Sequence, residues 1–384
     1  MDFRFTEEQL LYKATVEKLV KEKIEPLLAR HPSEAPLPKE AVLQILGWVQ
    51  PLGFIGARIP QDAGGSGLDL ISLGIANELI PYDAIVAPRT NATLTARIYY
   101  GGSPELRLKY LPPVLKGEFV GASAASEPNV GSDPTGIETR AVLDKGDYVL
   151  NGTKVWATNA DICDLLHVVA ATGKDERGRN VLTRFIVERK KSPFEARPMR
   201  MLGHDQGHLC EVVLDNCRVP RDNVVGLPGD GHRVLTITWM TQRPLIGLLA
   251  VGLAQRALDA SIIYAKQRKQ FGKPIASFQL IQDMIVEMSA LVEASRLLSY
   301  KALSLLQAGE KCPKESSMAK YWATEAAVKV TSMAIQIHGA YGLSKEYPLE
   351  KYFRDARMLT IPDGTTQIQK LIVGREILGI RAFA

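Results

Sequence analysis

Cysteine is scarce. Cys163, Cys210, Cys217 and Cys312 are the only four in 384 residues, and no two form a CxxC pair. A disulfide framework is therefore not expected, and a reducing, cytoplasmic compartment fits better. No apolar run approaches the ~18 residues of a bilayer span, so no membrane association is expected. The opening MDFRFTEEQLLYKA carries acids and lacks the apolar stretch of a secretory signal. Neither sign of charge dominates: 47 Lys plus Arg against 42 Asp plus Glu leaves +5, weak ground for a nucleic-acid partner but compatible with a phosphate-bearing ligand. No GxGxxG follows a strand-like run and opens a helix, which argues against a dinucleotide-binding βαβ unit. Hydrophobic residues at 46% and charged residues at 23% exclude disorder and low complexity.

What is present falls into three zones, 1–120, 121–230 and 231–384. The first reads as helical. Thr6 with Gln9 forms a capping-box pattern, and LLYKATVEKLVKEKI places Leu10, Leu11, Ala14, Val16, Leu19 and Val20 near one face. PQDAGGSGLD is a glycine-rich turn whose Asp69 suits the start of the helix ISLGIANELI. The middle zone holds short β-rich runs, YVLNGTKVWAT, LLHVVAAT, LTRFIVER and LCEVVLDNCRVP, separated by Gly, Asp, Asn and Pro. The last zone has four apolar-periodic segments, one of them closed by Gly309 in a C-cap position. The expected fold class is α+β: an N-terminal helical domain, a middle antiparallel β-domain and a C-terminal four-helix bundle.

Five segments could carry chemistry. SEPNVGSD, from Ser126, makes a loop whose hydroxyls and backbone N–H groups suit a polar heterocycle edge or a phosphate; a plain inter-domain turn is the alternative. In KVWATN, strand alternation puts Trp156 and Thr158 on one face, which suits a flat heteroaromatic ligand or merely a half-buried Trp. RKQFGKPIASFQ sets Arg268 beside an aromatic and a glutamine, either a pyrophosphate grip or a solvated helix end. QIHGAYG and IPDGTTQIQ follow, the latter placing Asp363 before a glycine turn and a helix start, where a common Asp-Gly turn with Thr365 or Thr366 as N-cap is the plainer reading. His204, His208, Cys210 and Cys217 are spaced like a zinc set, but Cys210 sits in a strand-like run without a supporting CxxC or HxxxH, so no metal is expected.

The order of these segments across the chain closely resembles the acyl-CoA dehydrogenase flavoprotein family. SEPNVGSD, LNGTKVWATNA, TQRPLIGLLAVGLAQRAL, RKQFGKPIASFQLIQ, QIHGAYGLSKEYPLEKYFRDAR and GTTQIQKLIVGREIL carry the resemblance. It implies FAD bound between the β-domain and the C-terminal helices, an acyl-CoA substrate, an electron-transferring flavoprotein as acceptor, and a homotetramer. By the same resemblance Ser126 and Ser132 match the flavin-edge loop, and Trp156 and Thr158 match the pair beside the flavin ring. Arg268, Phe271 and Gln279 match contacts to the FAD of a neighbouring subunit. Gln336, Gly339, Thr365 and Gln367 match contacts to the pyrophosphate and ADP part, and Arg243 matches an arginine on the CoA side. Arg89 and Asn91 lie on the helix that lines the acyl pocket: Arg89 either recognises a polar or carboxylated acyl end or faces solvent or an acid, Asn91 either contacts substrate or caps a turn, and Gly364 follows the base.

The resemblance breaks at the base. Most members have Glu before this Gly-Thr, where Asp363 stands here, and some carry the base just before the arginine, where Gln242 stands. An amide is no base at neutral pH, which leaves Asp363 as the base, shorter than Glu by about 1.5 Å of reach. Either the backbone advances, through Pro362, or a bulkier acyl group fills the gap. An Asp base resembles that of the alicyclic carboxyl-CoA dehydrogenases, and of nitroalkane oxidase, and the former resemblance implies an alicyclic, cyclohexane-type, or branched carboxyl-CoA rather than a plain straight-chain thioester. Two other readings of the same chain are an enoyl-CoA reductase or oxidase on this fold, and a silent scaffold that binds FAD and acyl-CoA.

Overall fold

A computed structural model of the chain describes residues 3–227, 229 and 231–382, with only the backbone for 231–238. The expected boundary at residue 230 and the end of the last zone at 383–384 lie outside the described residues. The chain opens with six α-helices, α1 (Glu7–Leu19), α2 (Glu25–Arg30), α3 (Lys39–Val49), α4 (Leu70–Leu79), α5 (Tyr82–Gly101) and α6 (Pro104–Leu115). The start signals act as read. Thr6 Oγ1 accepts from the Gln9 N–H at 3.2 Å while the Gln9 amide oxygen accepts from the Thr6 N–H at 3.1 Å. Asp69 caps α4 by accepting from the N–H groups of Ile71 and Ser72, both at 3.0 Å. The buried stripe of the first helix differs from the expected one. Leu10 and Leu11 are 51% and 71% exposed, whereas Val16, Val20 and Ile24 enter the core. A stripe at steps of four cannot also hold two adjacent leucines, and a π-turn at Val20–Ile24 carries it on into α2.

The β-region contains β1 (Gly121–Ala124), β2 (Arg140–Asp144), β3 (Asp147–Thr158), β4 (Leu165–Lys174), β5 (Asn180–Glu188), β6 (Glu195–Pro198), β7 (Leu209–Pro220) and β8 (Val224–Val225). They form one eight-stranded sheet in the order β6-β7-β3-β1-β4-β5-β8, with β2 beside β3 and β4. It is antiparallel except that β1 runs parallel to β4 and β2 touches β4 in parallel at Arg140 and Ala171. β1 enters straight from the helical region and so need not obey hairpin connectivity. Then come α7 (Gly231–Gln267), a hairpin of β9 (Lys269–Gln270) and β10 (Lys273–Pro274), α8 (Gln279–Gln307), α9 (Pro313–His338), α10 (Leu349–Leu359) and α11 (Thr366–Leu378). Within α7, Trp239–Gln267 is long and apolar enough to cross a membrane, with mean hydropathy 1.5, contrary to the expectation that no such run exists. Two-thirds of that window is buried, and α4, α8 and α9 pack on it, so its apolarity is that of a core helix.

The two helical regions share one apolar core. Val16, Leu46, Phe54 and Leu73 from the first are continuous with Leu249, Met288, Ala327 and Leu349 from the last. The sheet has its own core of Leu150, Val168, Phe185, Val212 and Val219. Leu94, Ile98 and Tyr110 join it to the helices by packing on Leu165, Ile186 and Val225.

The residues weighed as a zinc set have packing partners. Cys210 and Cys217 lie in the sheet core, where burial pushes their thiols up to about 12 and about 11. His208 places Nδ1 2.8 Å from Asp161 Oδ2 and Nε2 2.7 Å from the Leu37 carbonyl. Both partners are acceptors, so both ring nitrogens donate and the imidazolium is favoured. Burial pulls its pKa down, but Asp161 and the Leu37 carbonyl outweigh that and the net shift is upward. The stabilisation is therefore complete below the ordinary value of 6.5 and lost as pH rises through the folded-state value. His208→Gln is expected to cost about 1.5–3 kcal/mol at pH 5.5. Urea midpoints should show a clearly smaller cost at pH 8.5; an equal cost at both would remove the imidazolium.

Candidate active site

Between the last residue of α10, Leu359, and the first of α11, Thr366, runs the turn that carries Asp363. Asp363 and Gly364 both take positive φ, 53° and 97°. A Cβ on Gly364 would stand 2.5 Å from Gln369 Nε2, so the position needs glycine on two counts. Gln369 reaches back from α11 to donate to the carbonyls of Asp363 and Gly364 at 2.9 and 3.1 Å. Lys320, fully buried on α9, donates to the carbonyls of Thr360 and Gly364 at 3.0 and 2.9 Å. Thr365 caps α11 by accepting from the Ile368 N–H at 3.3 Å. The backbone is thus held from both sides. Among the described residues none hydrogen-bonds or ion-pairs with the Asp363 carboxylate.

Its charge acts on Arg58, Arg89, Arg97, Arg243 and Lys320. Burial pulls Arg58 and Arg97 down to about 10 and Lys320 to about 8, with Asp363 opposing each shift. Arg58 and Arg89 line a narrow cleft with Phe54, Leu73, Ala92, Gln242 and Leu245, and its enclosed volume is only about 10 Å³. Gln242 is occupied there: its oxygen accepts from Arg89 Nη2 at 3.2 Å and its nitrogen donates to Thr93. Arg243, next along α7, donates to Ser317 Oγ at 3.2 Å and keeps Nε buried without a partner. Asn91, read from the sequence as a substrate contact, is fully buried elsewhere. It donates to the Phe119 carbonyl and accepts from the Gly121 N–H, both at 2.8 Å. Both ends of its amide join α5 to β1, because a chain entering a sheet from a helix must satisfy its first backbone groups.

The other cluster is on the sheet. β3 carries a bulge between Lys154 and Ala157, and Trp156 takes φ 61° within it. Lys154 and Val155 are consequently both buried; then Trp156 opens out, 52% exposed, Ala157 returns to the core, and Thr158 is half-buried on the side of Trp156. The Ser126 loop lies alongside, its carbonyl accepting from the Val155 N–H at 3.0 Å. A buried Lys154–Glu127 pair at 2.8 Å fixes that loop, and Glu127 also accepts from the Thr139 N–H at 2.8 Å. The hydroxyls of Ser126, Ser132 and Thr158 have no partner among the described residues. Arg268, Phe271 and Gln279 stand apart, all exposed, with Phe271 93% exposed at the hairpin tip. Gln336 and Gly339 near the end of α9, and Gln367 on α11, are also exposed. Sequence reading passed over Lys320, Arg58 and the Lys154–Glu127 pair. The only local sign of Lys320 is one lysine in the otherwise small-residue helix face of SMAKYWATEAA.

Residues 6–118, 122–217 and 229–378 match, in turn, the families described as acyl-CoA dehydrogenase N-terminal domain, middle domain and C-terminal domain. Among similar proteins, a probable acyl-CoA dehydrogenase, YngJ, of Bacillus subtilis is 35% identical over 98% of this chain and 100% of its own. A glutaryl-CoA dehydrogenase of Desulfococcus multivorans is 36% identical over 99% of both. The solved butyryl-CoA dehydrogenase of Megasphaera elsdenii superposes with TM-score 0.91 at 30% identity, over 98% of this chain and 100% of that one.

Lys320→Met removes the ammonium from the Thr360 and Gly364 carbonyls, which keep the Thr366 N–H and the Gln369 amide as partners. It is expected to cost about 1–3 kcal/mol. Urea unfolding checks this, and a cost within 0.5 kcal/mol of zero, roughly the surface-substitution range, would mean that the turn does not rely on Lys320.

Proposed function

The chain belongs to the acyl-CoA dehydrogenase family, and from that premise we propose that it desaturates a ring-bearing or branched acyl-CoA with Asp363 as the base. It is an FAD-dependent oxidoreductase that acts on an acyl-CoA thioester. The sheet cluster suits a flavin: a half-exposed indole beside three unpartnered hydroxyls offers a flat contact and hydrogen-bonding groups for a heterocycle edge. Ser126, Ser132, Trp156 and Thr158 would hold the ring system. Thr365, Gln367, Gln336 and Gly339 would hold the phosphate and adenosine part, with Arg268, Phe271 and Gln279 serving a neighbouring subunit of a homotetramer. FAD bound there supplies the acceptor for the β-hydride, and an electron-transferring flavoprotein would reoxidise the enzyme.

The chain's own task is the α-proton. Asp363 is the observation that carries the reading: a carboxylate on a pinned turn, unpaired, beside a cleft with Gln242 already hydrogen-bonded. It takes the proton; the N–H groups of Asp363 and Gly364, unbonded among the described residues, are available to the thioester oxygen as its charge builds. Arg243 would meet the CoA side. The shorter base favours bulk: a broader acyl group brings its α-carbon closer to the carboxylate.

Asp363→Asn should slow anaerobic flavin bleaching by acyl-CoA about 10³-fold while FAD content stays the same. Bleaching at the parent rate would end the assignment. In the parent enzyme, cyclohexanecarboxyl-CoA and branched thioesters should bleach faster than straight-chain ones; the reverse order would reject the substrate subclass.

A further inference from the structure

Where α5 meets the sheet lies a polar cluster, Arg97 with Ser123 and His167, that the chemistry described so far does not use. Ser123 on β1 stands opposite Thr158 on β3 and opposite His167 on β4. Their chain neighbours Ala122, Ala124, Ala157, Leu166 and Val168 lie in the sheet core, so strand alternation turns Thr158, Ser123 and His167 together to the other face. Arg97, from α5, lies over this row and is 7% exposed. Its Nη1 donates to Ser123 Oγ at 2.6 Å and lies 3.2 Å from His167 Nδ1. A guanidinium can only donate, so Nδ1 accepts and the imidazole is neutral. Burial and the nearby cations Arg97 and Arg184 hold the His167 pKa well below its ordinary value, in agreement. Arg97 Nε is buried without a partner among the described residues. No ion pair holds the guanidinium among them either, and Asp363 is the one acid whose charge acts on it. The face of the sheet beside Thr158 thus carries a buried positive charge with no carboxylate against it.

We infer that Arg97 is a fixed cation that favours the reduced state of a flavin seated against Trp156 and Thr158. This rests on the flavin placement proposed above and goes beyond it. Dehydrogenation sends the α-proton to Asp363 and the β-hydrogen, with its electron pair, to the cofactor. Asp363 thereby loses its negative charge and the ring system gains one. A cation within reach of both has a counter-charge before and after the reaction. Residues directly opposite on paired strands have Cβ atoms about 4.5–5.5 Å apart, so a guanidinium bonded to Ser123 stands one side chain away from Thr158. At such a separation a buried unit charge acts far more strongly than it would in water. Arg97 needs no contact with the ring, because its effect is carried by the field. Ser123 and the neutral His167 hold it in place without cancelling its charge.

The test measures the midpoint potential of bound FAD in the substrate-free holoenzyme, by equilibration with a reference dye. Arg97→Met should lower the reduced-to-oxidised ratio about tenfold or more, a drop of about 30 mV for this two-electron couple. Arg97→Lys keeps the charge and should stay within about threefold of the parent ratio. The double variant Arg97→Met with His167→Leu replaces the buried polar pair by apolar side chains, an exchange that often costs little stability, and it should show the same drop. His167→Leu alone, which keeps the cation, should not. A ratio within about threefold of the parent in Arg97→Met or in the double variant overturns the inference. So does an equal drop in Arg97→Lys, which would leave the guanidinium as only a tie between α5 and the sheet. The flavin placement is tested apart from this, by the Kd for FAD in Trp156→Ala and Thr158→Val. Affinity at the parent level in both ends the placement and the inference together. Weakened FAD binding in those two, with an unchanged potential in Arg97→Met, ends the inference alone.

Discussion

Asp83 on α5, His204 in the loop before β7, and Lys351 and Asp355 on α10 meet in a largely buried cluster where the N-terminal helices, the sheet and the C-terminal bundle join. Lys351 Nζ lies 2.7 Å from Asp83 Oδ2 and 2.6 Å from Asp355 Oδ2. The His204 N–H donates to Asp355 Oδ1 at 2.6 Å, its ring nitrogen lies 3.1 Å from Asp83 Oδ1, and Tyr82 lies against the ring at 4.6 Å between centroids. Every charge here has a partner from another part of the fold. Removing one would strand the others in a low-dielectric interior, a loss of about 3–5 kcal/mol for a broken buried pair. Arg354 extends the joint outward by donating to Asp205 and to the Leu202 carbonyl.

The consequence for the site is direct. α10 is the helix whose end becomes the Asp363 turn, and its middle is locked to α5 and to the sheet by Lys351 and Asp355. α5 in turn brings Arg89 to the cleft, and the sheet brings Trp156 and Thr158 to the flavin side. Groups from three parts of the chain are therefore placed by one electrostatic joint and by the apolar core that α4, α7 and α9 share. Rigid elements of this kind hold a reacting geometry better than loops do.

Local chemistry was readable from the residues alone, and long-range chemistry was not. Thr6 with Gln9, Asp69, and Thr365 are caps whose partners lie within three residues, and the helical, β, helical order follows from periodicity. The motif order carried the family and its cofactor. The joint escaped because its partners lie 121 and 151 residues apart in the chain, where no local pattern records them. Lys320 escaped because a lysine on a helix is usually solvated, and only the fold reveals that it points at backbone carbonyls. Arg58 follows the apolar run GFIGA and has no motif of its own. Asn91 was placed on the right helix, but its burial against β1 depends on where the first strand enters the sheet. The bulge at Trp156 is likewise a property of strand pairing with β7 and not of the KVWATN segment.

Two ways exist for a carboxylate shortened by one methylene to reach a carbon set for a longer one: the backbone moves forward, or the ligand does. The Asp363 turn is bound by Lys320 and Gln369 through its own carbonyls, so a forward shift on ligand arrival would break hydrogen bonds to buried groups at about 1–3 kcal/mol each. The adjustment therefore falls to the acyl group.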